Sequence, residues 1–304
     1  MAQVWLVTGS SRGLGRHVVE AALQRGDRVL ASARRPEVLD DLVAAYGDRV
    51  RTIAHDVAVP AQATAAVQAA LEAFGRLDVV VNNAGYADLA SVEDMSDQAF
   101  RDQVEAVFFG TVHTTKAALP TLREQGRGRI INVTSVGSRM ATPGLSAYQS
   151  AKWAAAGFSA VLASEVAPLG IQVTSLEPGG MDTDWAGSSM HIPEISGPYQ
   201  QTVGAAATMH SLSSRPLGDP AKVAQVILQV ADMDEPPVRL LLGSEAYAYA
   251  TAVARAQLAS DEEWRELSRS TDRDDATAAE RDPLWAQSLT EPGRIDVVIN
   301  DAGT

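Results

Sequence analysis

VWLVTGSSRGLGRHVVE, residues 4–20, is the stretch whose reading decides the fold. Val4–Val7 is an apolar, strand-like run. Thr8–Gly15 follows with three glycines, Gly9, Gly13 and Gly15, and a helical pattern continues through Gly15–Gln24. A glycine-rich turn between a strand and a helix lets the backbone approach a pyrophosphate closely. The helix start then offers it unpaired N–H groups and the positive end of the dipole. A glycine loop alone is a weak signal, and the strand before it and the helix after it supply the required context.

Working outward, six more strand-like runs appear: Arg28–Ala33, Val50–Ala54, Leu77–Val81, Arg129–Val133, Gln172–Leu176 and Arg239–Leu242. Helix-length segments lie between most of them, such as Gln62–Phe74, Gln98–Leu119 and Ala147–Ala167. This alternation predicts an α/β fold, a doubly wound parallel sheet with helices on both faces and right-handed crossovers. Ligands of such a sheet bind at the carboxyl ends of the strands. A core built mostly of Val, Ile, Leu and Ala suits it, since aromatics are only 5% of the 304 residues.

Two stretches break the rhythm. Residues 179–218 carry Gly, Pro, Ser, Met and His with weak periodicity and read as a substrate loop. Residues 260–292 are acidic and polar and read as a solvated tail or surface helix. The expected division is a catalytic domain over 1–259 and an acidic extension over 260–304. Residues 258–304 hold twelve Asp or Glu and five Arg, so −7 of the net charge of −13 is local to them. The extension also repeats an earlier motif. Gly293–Gly303 reads GRIDVVINDAG against GRLDVVVNNAG at Gly75–Gly85, identical at eight of eleven positions. A duplication remnant is the plain reading, and the strand-like copy is expected at a sheet edge or against another chain.

The composition excludes several classes. There are no cysteines, which removes disulfides, thiolate metal sites and cysteine nucleophiles. The acidic balance argues against a nucleic-acid partner. No apolar run approaches the ~18 residues of a membrane helix, and the N-terminus shows no signal-peptide pattern, so a cytoplasmic protein is expected. His17, His55, His113, His191 and His210 are scattered with no metal-ligand spacing.

In the second βα unit, a carboxylate at the strand end would bind a ribose 2′-hydroxyl. Here the strand ends Ala31-Ser32-Ala33 and continues Arg34-Arg35. Arg12 and Arg34 can instead pair with a 2′-phosphate, which predicts NADP(H) as the cofactor. Tyr148 and Lys152, four apart on a helical pattern, share one face. A tyrosine with a pKa of about 10 is a poor base near neutral pH. A nearby ammonium and a nicotinamide cation would lower it. Ser135 is placed to hydrogen-bond a substrate oxygen.

These motifs resemble the short-chain dehydrogenase/reductase family over about residues 3–245. The carrying stretches are TGSSRGLG at 8–15, Asp56-Val57, NNAG at 82–85, Ser135, YQSAK at 148–152 and PGGMDT at 178–183. The resemblance implies a seven-stranded sheet, commonly in a homodimer or homotetramer. It implies that Gly9, Ser11, Arg12 and Leu14 hold the phosphates and that Asp56 and Val57 flank the adenine. Asn83, Ala84 and Gly85 would line the cofactor, Lys152 would also bond the nicotinamide ribose, and Pro178, Gly179, Met181 and Thr183 would close over the nicotinamide. Tyr148 would carry the proton, with Ser135 and Lys152 beside it. The implied reaction is hydride transfer between NADP(H) and a small-molecule carbonyl or secondary alcohol.

One position departs from the pattern. Val107, in Glu105-Ala106-Val107-Phe108-Phe109-Gly110, stands where the family usually carries an Asn thought to hold a proton-relay water. That departure keeps open an NADP(H)-binding sensor of low activity, and a dehydratase or epimerase on the same fold is a further alternative. Met181, Trp185, Met190, Ile192, Ile195 and Tyr199 give the 179–218 loop an apolar character, which predicts a mostly apolar substrate. His191 and Trp185 are its candidate contacts.

Overall fold

The computed structural model describes residues 2–183, 190–212 and 216–281. Trp185 and the repeat at 293–303 lie outside the described residues. The chain divides into two units, Met1–Thr251 and Ala252–Thr304.

The first unit is wound around seven strands: β1 (Val4–Thr8), β2 (Arg28–Ala33), β3 (Val50–Ala54), β4 (Val79–Asn82), β5 (Gly128–Val133), β6 (Ile171–Pro178) and β7 (Arg239–Leu242). They lie in the order β3-β2-β1-β4-β5-β6-β7, and every pair is parallel. Helices α1 (Gly13–Arg25), α2 (Asp40–Tyr46), α3 (Pro60–Phe74), α4 (Asp97–Val104), α5 (Gly110–Gln125), α6 (Ser146–Val166), α7 (Ala205–Leu212), α8 (Pro220–Asp232) and α9 (Ser244–Glu263) connect or follow them. A π-helical turn, Glu105–Phe109, joins α4 to α5. In the second unit, α9 is followed by the short α10 (Arg265–Arg269) and α11 (Ala278–Arg281).

The period of two in the strands explains the two-sided core. In β1, Trp5 and Val7 face a core with residues of α1 and α8. Val4 and Leu6 face the opposite core, with residues of α3, α5 and α6. The neighbouring β4 splits likewise, Val79 and Val81 one way and Val80 the other. Each such side chain contributes about 1.5–3 kcal/mol on full burial. A one-residue slip would exchange both faces at once, so the register is strongly fixed.

The chain order reverses between β1 and β4, and there the connections to neighbouring strands diverge, leaving a crevice at the carboxyl ends. The 179–218 stretch, read from sequence as a loop of weak periodicity, holds a 3-10 turn at Gly197–Tyr199, a π turn at Gln200–Gly204 and helix α7. Its two ends are pinned together: Gly218 N–H donates to Gly180 O at 2.9 Å, and Asp182 N–H donates to Gly218 O at 2.9 Å.

Candidate active site

Because all strands are parallel, their carboxyl ends share one edge. The structure places the expected site residues along it: Gly9–Gly15 after β1, Arg34 after β2, Asp56 and Val57 after β3, Asn83–Gly85 after β4, Ser135 after β5, and Pro178–Thr183 at the end of β6. Tyr148 and Lys152 reach the same edge from the first turns of α6.

The glycine loop is a cradle that side chains would fill. Gly9 sits at φ +68° and Gly13 at φ +56°, in the left-handed region that favours glycine. Gly15 is required by close approach instead. A Cβ there would lie 2.3 Å from Gly9 O and 2.5 Å from Asn83 Nδ2. The N-cap residue, Arg12, does not cap the start of α1 with its side chain. The first N–H groups of the helix therefore face the loop without a bond from that side chain. Arg12 and Arg34 are exposed and form no ion pair among the described residues. Together these features fit a dinucleotide phosphate chain, with the two guanidinium groups available for a further phosphate.

Thr8 stitches the crevice. Its Oγ1 accepts from Asn83 N–H at 2.9 Å and Ala84 N–H at 3.1 Å and donates to Val81 O. The Asn83 amide donates back to Thr8 O at 3.0 Å and Gly9 O at 3.3 Å. Asn83 thus spends its side chain on holding the glycine loop. On the adenine side, the Asp56 carboxylate caps Ala58 N–H at 3.0 Å. Val57 is pressed against α5, where a Cβ on Gly110 would meet Val57 Cγ2 at 2.6 Å. Behind it, His55 is buried, with Nδ1 3.1 Å from Ser32 Oγ, and burial holds its pKa down to about 4.

At the chemical end, the Ser135 and Tyr148 hydroxyls share a hydrogen bond. Ser135 Oγ accepts from Gly137 N–H at 3.0 Å, which leaves its own proton for the tyrosine or a substrate oxygen. Lys152 is buried and donates from Nζ to Val133 O at 2.7 Å. Its Nζ lies 5.8 Å from the Tyr148 ring centroid. Burial lowers the Lys152 pKa to about 8. Sequence reasoning expects a depressed Tyr148 pKa, and here the protein's own groups do the opposite. Burial drives Tyr148 up to about 12, and the Ser135 hydrogen bond offsets only part of the rise. The Lys152 ammonium is directed at the Val133 carbonyl and is not among the groups that set the Tyr148 pKa here.

Val107 is buried in the π turn. Its Cγ2 and Lys152 Nζ lie 3.6 and 3.7 Å from the point where a Cβ on Gly85 would be. The position matching the family's Asn therefore does sit beside Lys152, with an apolar side chain. π turns are often found at functional sites.

On the substrate side, the structure places the remaining candidates as follows. Thr183 packs over the glycine loop, its Cβ and Cγ2 3.6 Å from a Cβ built on Gly13. His191 engages through its backbone, N–H to Asp88 Oδ1 at 3.4 Å and carbonyl to Leu89 N–H at 3.0 Å. Tyr199 donates its hydroxyl to Glu93 at 2.8 Å on the exposed side. Leu89 and Val203 are buried and both pack on Gly144.

Sequence reasoning missed the supports of the site. Glu177, fully buried, accepts from Arg139 Nε and Arg239 Nε, each at 2.5 Å. It ties the turn bearing Ser135 to the end of β6 and to β7. Glu245, in the first turn of α9, accepts from Gly180 N–H at 2.5 Å. Thr8 and Asn83 carry a readable signal because they lie inside TGSSRGLG and NNAG, and Glu177 and Glu245 carry none. Among the described residues no helix is long and apolar enough to cross a membrane.

The comparisons with known proteins agree with this geometry. The short chain dehydrogenase family model matches residues 3–191. Oxidoreductase BOA17 of Botryotinia fuckeliana is 53% identical over 270 residues, 88% of this chain and 98% of that protein. A short-chain dehydrogenase from Streptomyces avermitilis superposes with a TM-score of 0.84 at 40% identity, covering 89% of this chain and 98% of its own. A short chain dehydrogenase from Burkholderia cenocepacia, solved in complex with NADP, superposes with a TM-score of 0.69 at 26% identity, covering 86% and 97%. This chain belongs to the short-chain dehydrogenase family of oxidoreductases.

Proposed function

We propose that the chain is an NADP(H)-dependent oxidoreductase that reduces a carbonyl, or oxidises the matching secondary alcohol, on a mostly apolar small molecule. The observation that carries this reading is the hydrogen-bonded Ser135–Tyr148 hydroxyl pair with the buried Lys152 one helical turn on. When bound, the nicotinamide supplies or accepts the hydride. Ser135 holds the substrate oxygen, and Tyr148 gives it a proton during reduction or takes one during oxidation. With its pKa at about 12, Tyr148 rests as the phenol, the form that donates. The Lys152 ammonium, anchored on Val133 O, favours the phenolate as it forms. Proton transfer by a positioned group contributes about 10²–10⁴-fold to rate.

Arg12 and Arg34, without ion-pair partners among the described residues, support NADP(H) over NAD(H). Met181, Met190, Ile192 and Ile195 in the 179–218 stretch support an apolar substrate. The partner we infer beyond it is a second copy of the chain. Phe109, at the end of the π turn before α5, and Trp153 and Val161 on α6 are 40%, 53% and 61% exposed, apolar surface suited to a homodimer. An enzyme that consumes reduced cofactor fits a compartment that regenerates it, the cytoplasm. The test follows NADPH and NADH absorbance over a panel of ketones and aldehydes. Turnover with NADPH supports the reading, and NADPH binding without turnover on any member favours the sensor reading instead.

A further inference from the structure

The end of β6 is held from outside by a single carboxylate. β6 and β7 stay paired to the last residue, with Gly179 N–H donating to Leu242 O at 3.0 Å. The chain of β7 then turns through Gly243, at φ +104°, into α9. This turn brings Glu245 beneath the departing Gly179-Gly180. Its Oε1 accepts from Gly180 N–H at 2.5 Å. The fit is close: a Cβ on Gly179 would lie 2.8 Å from Glu245 Oε1, and one on Gly180 would lie 3.0 Å from it. The other side of Gly180 is taken by the neck of the 179–218 stretch, where its carbonyl accepts from Gly218 N–H. A Cβ on Gly218 would lie 2.6 Å from Gly180 O, so that approach also requires glycine. Three residues further on, Thr183 rests against Gly13 of the glycine loop.

We propose that Glu245 is a positioning residue for the cofactor: its carboxylate latches Gly180 and so holds the Pro178–Thr183 segment closed over the glycine loop. The inference rests on the NADP(H) reading of that loop. A hydrogen bond to a charged acceptor is among the stronger ones in a protein. Gly180 has both its N–H and its carbonyl engaged, so the segment leaves the loop only when the latch opens. Cofactor release then requires breaking the Glu245–Gly180 bond, while the proton chemistry at Tyr148 does not.

The test joins two readouts on the full chain, amide hydrogen exchange at Gly180 without cofactor and the rate of NADPH release followed by nicotinamide fluorescence. In the wild type, Gly180 N–H is expected to be protected. Glu245→Ala is expected to raise its exchange, and the rate of NADPH release, by about ten-fold or more, with kcat changing less than KM for NADPH. Glu245→Gln keeps an acceptor oxygen and is expected to restore most of both. Exchange of Gly180 at the free-peptide rate in the wild type overturns the proposal without any variant. So does equal exchange in the wild type and Glu245→Ala, or faster exchange with unchanged NADPH release. If NADPH binds normally in any of these cases, the cofactor reading survives and only the latch is lost. A wild-type chain that binds neither NADPH nor NADH overturns the cofactor reading itself and this inference with it.

Discussion

Replacing Lys152 by Met should make the protein more stable near neutral pH while abolishing turnover. The ammonium is buried and its pKa falls from 10.5 to about 8 because burial penalises the charged form. At about 1.4 kcal/mol per pH unit, that fall corresponds to about 3 kcal/mol of stability withheld at pH 7. The direction follows from linkage. Between pH 8 and 10.5 the unfolded chain binds the proton that the folded chain has released, so stability rises with pH across that window. The penalty is full below about pH 8 and fades to a few tenths of a kcal/mol near 10.5.

Met fills a similar volume without the charge, so the variant lacks this dependence. Its one loss is the bond to Val133 O, 2.7 Å long in the wild type, which costs about 1–3 kcal/mol if that carbonyl finds no other donor. This loss does not vary with pH and only offsets the whole curve. The decisive quantity is therefore the change in the stability gap between variant and wild type. It is measured by urea unfolding of both proteins, without added cofactor, at pH 7, 8, 9 and 10. The variant should lose about 2 kcal/mol or more of its relative advantage between pH 7 and 10. A gap that stays constant would refute the buried-ammonium account of Lys152. Other titrating groups are common to both proteins and cancel.

Tyr148→Phe keeps the ring packing and removes the proton carrier, so kcat should fall by about 10²–10⁴-fold with NADPH affinity nearly unchanged; a rate above a third of wild type would exclude the role. Arg34→Asp should invert the cofactor preference, lowering kcat/KM with NADPH by about ten-fold or more while sparing NADH, and equal loss with both cofactors would show that Arg34 does not meet the 2′-phosphate. Val107→Asn places an amide beside Lys152 Nζ, so it should cost less than the ~1–3 kcal/mol of an unpaired buried amide and should shift the pH profile of kcat. An unchanged profile in a well-folded variant would mean that proton exchange with Lys152 runs by another route.

The elements legible in the sequence are those whose signal is local. Seven strand-like runs are visible because each is short and rich in Val, Ile, Leu or Ala between longer helical patterns, and all seven are present in the sheet within a few residues. Helix α6 was legible from Ala147–Ala167, and the Tyr148–Lys152 pair from its four-residue spacing. The upward shift of the Tyr148 pKa in the protein alone is not legible in the sequence, for a physical reason. Sequence shows which charges are near in chain order, whereas burial, the largest cause here, depends on everything packed above the ring. The 179–218 stretch was read as loop because its helical turns are short and its polar and apolar residues follow no single period.

The supports of the site were illegible for a different reason, and Glu177 shows it best. Nothing around LEP at 176–178 marks the glutamate as an ion-pair partner. Arg139 lies 38 positions before it and Arg239 lies 62 after, and only the parallel register of β5, β6 and β7 brings the three together. Glu245 and Gly180 are 65 apart and meet only because β6 and β7 end side by side. Tyr148 and Lys152 lie within one turn of α6, so their spacing shows in the sequence. A group that holds two loops in place must by its nature join distant parts of the chain, because fixing neighbours would fix nothing. The same sheet that makes the candidate site residues readable therefore hides the carboxylates that join the loops around them, because Glu177 and Glu245 meet their partners only through the pairing of distant strands.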